Sequence, residues 1–226
     1  MQNKAFEISK RSAGKAGAEL IESGMRVGLG SGSTSWHFIE CLGERVKQGL
    51  SIIGIPTSEA SKNHAIDMGI KVAELDSSGV DIAIDGADEI DPKKNLIKGR
   101  GGALVREKLI ACSSMRYVVI ADESKVKPLL SGLVPIEVIT FGIEFTKFRL
   151  MKLFDTDFIL RMSEKDRPFV SDNGNYILDG YFKEINDAEK IDYLLKSIPS
   201  VVTSGFFVNM TNSVIIGKED GSTYIL

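Results

Sequence analysis

Val80-Asp81-Ile82-Ala83-Ile84 runs into Asp85-Gly86-Ala87-Asp88-Glu89. After a polar turn come Ile97-Lys98-Gly99-Arg100-Gly101-Gly102-Ala103-Leu104 and Arg106-Glu107-Lys108. The apolar run up to Ile84 reads as a buried strand that ends at an acidic, glycine-containing turn. The glycine-rich loop then opens into a helix whose first turn carries Glu107. In open α/β sheets, the carboxyl ends of strands facing helix N-termini are where ligands are held. Carboxylates and one lysine gathered at such an edge point to proton transfer on an anionic substrate.

Working outward, strands and helices alternate. A helix is expected over residues 4–22, with Gly24 after its end. Met25–Gly30 reads as a strand, followed by a helix capped by Ser33 or Thr34. Leu50–Ile55 is a strand, a helix follows Thr57-Ser58, and strands follow at Lys71–Ala73 and Val80–Ile84. A helix over 102–114 and a buried strand at Tyr117–Ala121 complete the pattern. This alternation predicts a doubly wound, mostly parallel, Rossmann-like α/β sheet.

Beyond residue 131 the pattern changes. Pro135–Ile139 is a strand and Ile143–Phe154 an amphipathic helix; Phe169–Ser171 and Tyr176–Leu178 read as a hairpin around Asn173-Gly174. A helix at 187–197 and a strand at Val201-Val202 follow. That β-α-β-β-α-β order predicts a smaller α+β ferredoxin-like subdomain over 132–203. Residues 1–131 plus 204–226 are expected to form the α/β catalytic domain, with Phe206–Val208 and Val214–Ile216 returning to the main sheet.

Bulk properties exclude several classes. The chain has 226 residues, 43% of them hydrophobic, enough for a sizeable core. Its formal charge of −3 argues against nucleic-acid binding, so an anionic ligand must be met by local cations. No apolar run approaches membrane-spanning length and the N-terminus has no signal core, so a cytoplasmic protein with no membrane partner is expected. Cys41 and Cys112 form no metal spacing and are expected to be buried thiols. His37 and His64 also lack metal spacing, so no metal is expected.

The run Gly28-Leu29-Gly30-Ser31-Gly32-Ser33-Thr34 lacks the G-x-G-x-x-G spacing of dinucleotide folds. The next strand ends at Gly54-Ile55-Pro56-Thr57, without a carboxylate to hold a ribose. What remains is a turn of backbone N–H groups and hydroxyls at a helix N-terminus, suited to a phosphate or to sugar hydroxyls and equally readable as an ordinary capped βα turn. Asp85 and Asp88, three residues apart, need a cation or a proton between them, and Lys98 is the candidate cation. Read alone, Glu107 is a dipole-stabilising glutamate, a common helix feature. Lys125 follows another strand end and could meet a phosphate, whereas Lys10 in the first helix is a weaker candidate.

These residues carry a resemblance. Asp85–Glu89, Lys98–Leu104 with Arg106-Glu107-Lys108, Gly28–Thr34 and Ser171-Asp172-Asn173-Gly174-Asn175 resemble, in order and spacing, four motifs of the type A ribose-5-phosphate isomerases. The resemblance implies reversible interconversion of D-ribose 5-phosphate and D-ribulose 5-phosphate in the pentose phosphate pathway, without a cofactor. It makes Glu107 the catalytic base, with Asp85, Asp88 and Lys98 handling the ring-opening and hydroxyl protons. It places substrate against Ser31, Gly32, Ser33, Thr34, Asp85, Gly86, Ala87, Asp88, Lys98, Gly99, Arg100, Gly101 and Lys125. It also implies a homodimer, or a homotetramer. Two rivals stand beside it: a non-catalytic sugar-phosphate sensor, and a sugar-phosphate deaminase or lactonase, which would want a catalytic histidine.

Overall fold

The computed structural model describes residues 2–163 and 166–226. They form two compact units. One comprises the chain up to Ala87, Arg106–Val126 and Asn209–Leu226; the other comprises Asp88–Val105 and Lys127–Val208.

In the first unit, helix α1 (Gln2–Glu19) precedes strand β1 (Arg26–Leu29), α2 (Ser33–Lys47), β2 (Ile53–Pro56), α3 (Glu59–Asp67) and β3 (Val80–Asp85). In the second unit come the short strands β4 (Glu89–Ile90) and β5 (Leu96–Ile97). Helix α4 (Leu104–Ser113) then leads to β6 (Ser114–Asp122). The second unit continues through β7 (Gly132–Val138), α5 (Ile143–Phe154), β8 (Phe158–Leu160), β9 (Tyr176–Phe182), α6 (Ala188–Lys196), β10 (Val201–Ser204) and β11 (Phe206–Phe207). The chain ends in β12 (Ser213–Gly217) and β13 (Thr223–Ile225).

The six-stranded sheet of the first unit has the order β13-β12-β6-β3-β1-β2. All neighbours are parallel except the edge pair β12–β13. The order reverses direction between β1 and β3, which makes their carboxyl ends the switch point where such sheets open a crevice. Helices cover both faces. A Cβ on Gly17 of α1 would lie 3.1 Å from Ile84 Cγ2 and 3.2 Å from Ile120 Cγ2, so α1 seats against one face. A Cβ on Gly28 would lie 2.6 Å from Ile110 Cγ2 of α4 and 2.7 Å from Ala83 Cβ, so α4 seats against the other. Side chains alternate along a strand. Asp85, two residues beyond Ala83, therefore faces the α4 side.

The second unit holds a four-stranded antiparallel sheet ordered β10-β7-β9-β8. With α5 and α6 as its crossovers this is the β-α-β-β-α-β arrangement expected from the sequence. Its core gathers Val134, Ile136, Leu150, Phe158, Leu178 and Phe206. A separate three-stranded sheet, β11-β5-β4, lies in the same unit.

Several local expectations are corrected. Lys71–Ala73 is no strand; it touches β2 through the single bridge Gly54–Val72. Phe206-Phe207 pairs with Leu96-Ile97 and so does not join the main sheet, whereas Val214–Ile216 does. Phe169–Ser171 forms no hairpin strand, because β9 already pairs with β7 on one side and β8 on the other. Instead Ser171–Asn175 closes on itself, with the Ser171 N–H donating to Asn175 O at 2.9 Å and the Gly174 N–H to Ser171 O at 2.9 Å. Nor are the thiols both buried: Cys112 is exposed and Cys41 half-buried, and both are free.

The Ser171–Asn175 loop is fastened by one carboxylate. Glu137 in β7 is fully buried, and its Oε1 accepts from Ser171 Oγ (2.8 Å), Asn173 Nδ2 (3.0 Å) and Asn175 Nδ2 (2.9 Å). Removing a shared acceptor leaves several donors unsatisfied at about 1–3 kcal/mol each. Glu137→Ala should therefore lower stability by about 2–4 kcal/mol, read as a shift of the denaturant midpoint. Glu137→Gln, which keeps one oxygen in place, should recover part of it.

Candidate active site

The carboxyl end of β3 is tied to the loop after β1 by one side chain. Asp85 is 2% exposed, and its Oδ1 accepts from the Ser31 N–H (3.0 Å), the Gly86 N–H (2.7 Å) and the Ser35 hydroxyl (3.3 Å). The fit needs glycine at position 30, where a Cβ would lie 2.2 Å from Asp85 Oδ1. The Gly30 N–H is spent on Ile84 O at 2.9 Å, which continues the sheet one residue past β1.

Helix α2 then starts at Ser33. Its cap is Gly32 at φ 92°, a backbone region that glycine enters without strain, and no side chain caps the helix. The capping expected of Ser33 or Thr34 does not occur, because both already lie inside the first turn. That first turn thus presents the positive end of a helix whose leading N–H groups have no capping side chain. After β2, the other neighbour of β1, α3 is capped by Ser58, whose hydroxyl accepts from the Ser61 N–H at 3.0 Å.

Glu107 sits in the first turn of α4 and is 5% exposed. It lies three residues before Ile110, hence on the same helix face, the one seated against Gly28 and Ala83. Helix α4 leads into the start of β6, so its N-terminus lies at the carboxyl edge of the parallel strands. Glu107 and Asp85 therefore share one face and one edge of the sheet. Arg106 turns to α3, donating to Glu59 at 2.8 Å and holding that carboxyl below its usual range. Lys125, half-buried, closes a 3-10 turn after β6, the neighbour of β3. Lys10 on α1 pairs with Glu7 at 3.1 Å. His37 bonds Glu7 (3.0 Å) and Glu40 (3.1 Å); together with Lys10 it lowers the Glu7 carboxyl. His64 stacks on Trp36 at 4.6 Å.

In the second unit, Asp88 donates its N–H to Ile97 O (2.9 Å) and accepts from the Arg100 N–H through Oδ2 (3.0 Å). This carboxylate shapes the glycine-rich loop. Lys98, 2% exposed, is anchored by its N–H on Gly205 O at 2.8 Å, with its ammonium 5.5 Å from the centre of the Phe207 ring. A Cβ on Gly205 would fall 2.3 Å from Lys98 O, so only glycine permits that approach. Gly99 and Gly102 hold positive φ, and the Gly102 N–H closes a turn on Gly99 O at 2.9 Å. Arg161 donates to the carbonyls of Gly99 and Arg100 at 3.1 and 2.9 Å. The Arg100 side chain pairs with Glu89 at 3.0 Å; the backbone of Gly101 is exposed at the loop tip.

Thus Ser31, Ser35, Asp85 and Gly86 are joined by hydrogen bonds in one unit, and Asp88 and Arg100 in the other. Glu89, Glu137, Arg161 and the hydroxyls of Ser35, Thr57 and Ser58 escaped the sequence reading. For Ser35 a signal existed: it follows the glycine-hydroxyl run by one residue. Among the described residues no cluster of three or more His, Cys, Asp or Glu side chains could hold a metal. No described helix is long and apolar enough to cross a membrane.

An α/β protein with buried acid–base residues and an uncapped helix at its switch point fits the chemistry of small anionic substrates. Comparison narrows this. The family model described as ribose 5-phosphate isomerase A (phosphoriboisomerase A) matches residues 53–221. Ribose-5-phosphate isomerase A of Rhodopseudomonas palustris is 46% identical over 95% of each chain, and that of Methanoregula boonei 42% over 95% of this chain and 92% of its own. Among solved structures, the ribose 5-phosphate isomerase of Plasmodium falciparum is 40% identical, covering 100% of this chain and 98% of its own, with TM-score 0.91. A D-ribose-5-phosphate isomerase in complex with phospho-erythronic acid is 40% identical over 96% of each chain, also with TM-score 0.91. The chain belongs to the ribose 5-phosphate isomerase A family.

The Asp85 clamp generates its own test. Hydrogen bonds to a charged acceptor contribute about 1.5–3 kcal/mol each. Asp85→Ala should speed exchange of the Ser31 and Gly86 amides by roughly 10- to 100-fold, measured by native-state hydrogen exchange. The Gly54 amide, which bonds Lys71 O elsewhere, should be unaffected.

Proposed function

We infer that this protein interconverts D-ribose 5-phosphate and D-ribulose 5-phosphate as an aldose–ketose isomerase of the non-oxidative pentose phosphate pathway. The observation that carries the reading is the buried Glu107 on the face and edge of the sheet that Asp85 occupies, in a chain of this family.

The chemistry proposed is proton movement alone. Asp85 accepts a proton as the furanose ring opens. Glu107 then takes the proton from C2 of the open aldose and returns it to C1, by way of a cis-enediolate. Asp88 and Lys98 handle the protons of O1 and O2, and the Lys98 ammonium stabilises the negative charge that forms there. The aldehyde is reduced as C2 is oxidised within one molecule, so electrons balance without a cofactor. The phosphate is assigned to Lys125 and to the first turn of α2 at Ser33 and Thr34, where charge and uncapped N–H groups suit an anion. Gly32, Gly86, Ala87, Gly99, Arg100 and Gly101 line the remaining substrate contacts in this proposal.

A homodimer, with a homotetramer as the larger alternative, completes the proposal. Phe141, Phe145 and Phe148 stand 86, 67 and 58% exposed around the start of α5, an apolar surface that a second copy would cover. The compartment proposed is the cytoplasm, where doubly charged sugar phosphates are retained.

Two variants test the roles. Glu107→Gln should bind phospho-erythronic acid with unchanged affinity while kcat for ketose formation falls by about 10²–10⁴-fold; near-normal turnover would remove Glu107 from the mechanism. Lys125→Ala should raise KM with little change in kcat, because a phosphate is held equally in ground and transition states. A lowered kcat at unchanged KM would take the phosphate away from Lys125.

A further inference from the structure

We propose that the Ser31 hydroxyl serves as a hydrogen-bond acceptor for a sugar hydroxyl, and not as a donor to the phosphate, and that Thr57 and Ser58 are positioning residues that enforce this polarity. The inference rests on the sugar-phosphate reading and adds to it which part of the substrate Ser31 recognises.

A serine or threonine hydroxyl carries one donor hydrogen and two acceptor lone pairs. The Thr57 hydroxyl has two acceptors in reach, Leu29 O at 3.0 Å, which also takes the Thr57 N–H, and Ser31 Oγ at 2.7 Å. Ser61 Oγ donates to Ser58 O at 3.1 Å and accepts from the Ser58 N–H at 3.0 Å. The 3.0 Å contact between Ser58 Oγ and Ser61 Oγ must then use the Ser58 hydrogen. Ser31 Oγ donates to Ser58 Oγ at 2.8 Å, while its 2.7 Å contact with Thr57 Oγ1 can run in either direction. The single Ser31 hydrogen is therefore drawn into the protein, toward Ser58 Oγ. Apart from Thr57 Oγ1, no donor among the described residues reaches Ser31 Oγ, so at least one of its lone pairs remains for a ligand.

The backbone supports the same division. The Ser31 N–H is held by Asp85 Oδ1 at 3.0 Å, so this residue offers an anion neither its hydroxyl hydrogen nor its amide. A phosphate dianion brings no proton and would meet the Ser31 lone pairs as a repulsion. A sugar hydroxyl brings the missing hydrogen. The contrast lies within one loop: Ser31 accepts, while the first turn of α2, two residues on, presents N–H groups with no capping side chain. Thr57 and Ser58 are both buried, from the end of β2 and the cap of α3. They touch no reacting atom and act only by orienting Ser31.

Paired ligands separate the alternatives. Phospho-erythronic acid and its doubly deoxygenated counterpart, 4-(phosphonooxy)butanoic acid, share a phosphate, a carboxylate and a four-carbon chain and differ only in two hydroxyls. Calorimetric affinities of both should be measured on the full-length wild type and variants. Ser31→Ala is expected to weaken phospho-erythronic acid about tenfold, the factor one such hydrogen bond carries, and to leave the deoxygenated compound unchanged. Combining Thr57→Val with Ser58→Ala should lower the preference for the hydroxylated ligand about three- to tenfold. Thr57→Ser, which restores the acceptor, should keep the preference at the wild-type value. Equal weakening of both ligands by Ser31→Ala would assign Ser31 to the phosphate or to the fold and overturn the proposal, as would an unchanged preference. Ketose formation from ribose 5-phosphate by the wild type is scored separately. Normal turnover with no change in preference sinks the polarity claim alone, whereas absence of both turnover and ligand binding sinks the isomerase reading with it.

Discussion

One carboxylate oxygen sets the geometry on which the rest of this site depends. Asp85 Oδ1 collects two backbone N–H groups and a serine hydroxyl, fastening the end of β3 to the loop after β1. Those are the strands between which the sheet order reverses, so the clamp spans the place where a doubly wound sheet necessarily parts. Buried charge is costly unless several donors meet it, and three do so here. Without Asp85 the Gly30–Ser31 backbone would lose the partner that fixes its direction. The start of α2 and the Ser31–Thr57–Ser58 hydroxyl chain both follow from that direction.

Where sequence reading succeeds, one physical cause dominates a local stretch. The helix Ile143–Phe154 was readable to the residue because its apolar spacing and its Gly142 start agree. The doubly wound parallel sheet followed from alternation, and the second unit has the β-α-β-β-α-β order with its third strand at Phe158–Leu160 in place of Phe169–Ser171. Where it fails, a distant partner decides. Phe169–Ser171 has the composition of a strand, but the hydrogen-bonding edges of β9 are occupied by β7 and β8. Phe206-Phe207 reads as main-sheet sequence, yet Gly205 lets its backbone close against Lys98 and pairs it with β5. Helix capping at Ser33 was a sound local expectation, displaced because glycine at position 32 takes a positive φ that starts the helix one residue early.

The motifs divide in the same manner. Asp85 and Glu107 announce themselves by chemistry, since carboxylates at a strand end and in a helix first turn invite a role. The fourth motif, Ser171–Asn175, gave no hint of what it does until Glu137 was found beneath it, 34 residues earlier in the chain for Ser171. Three donors on one acidic oxygen make the motif a fastening for a loop. Glu89 behaves alike: its two oxygens accept from the Arg100 guanidinium at 3.0 Å and the Ser131 N–H at 2.9 Å. A net-negative chain thus holds its glycine-rich loop with carboxylates, while Arg161 grips the same loop from its carbonyl side.

Hydroxyl groups are the least legible part of any site, because each can give or take and sequence records neither. Their direction is decided by groups that cannot choose, the carbonyl that only accepts and the amide N–H that only donates. Just past β2, Ser58 O draws the hydrogen of Ser61, the Ser58 hydroxyl turns to Ser61, and Ser31 in turn donates to Ser58. Ser31 stands at the end of that chain with its hydrogen turned inward. A substrate with a phosphate at one end and hydroxyls along its body needs both polarities a few ångströms apart. A glycine-hydroxyl turn leading into an uncapped helix supplies them in consecutive residues: lone pairs first, then N–H groups. The polarity of this loop is therefore set by a backbone carbonyl at the cap of α3 and passed to Ser31 through two hydroxyls.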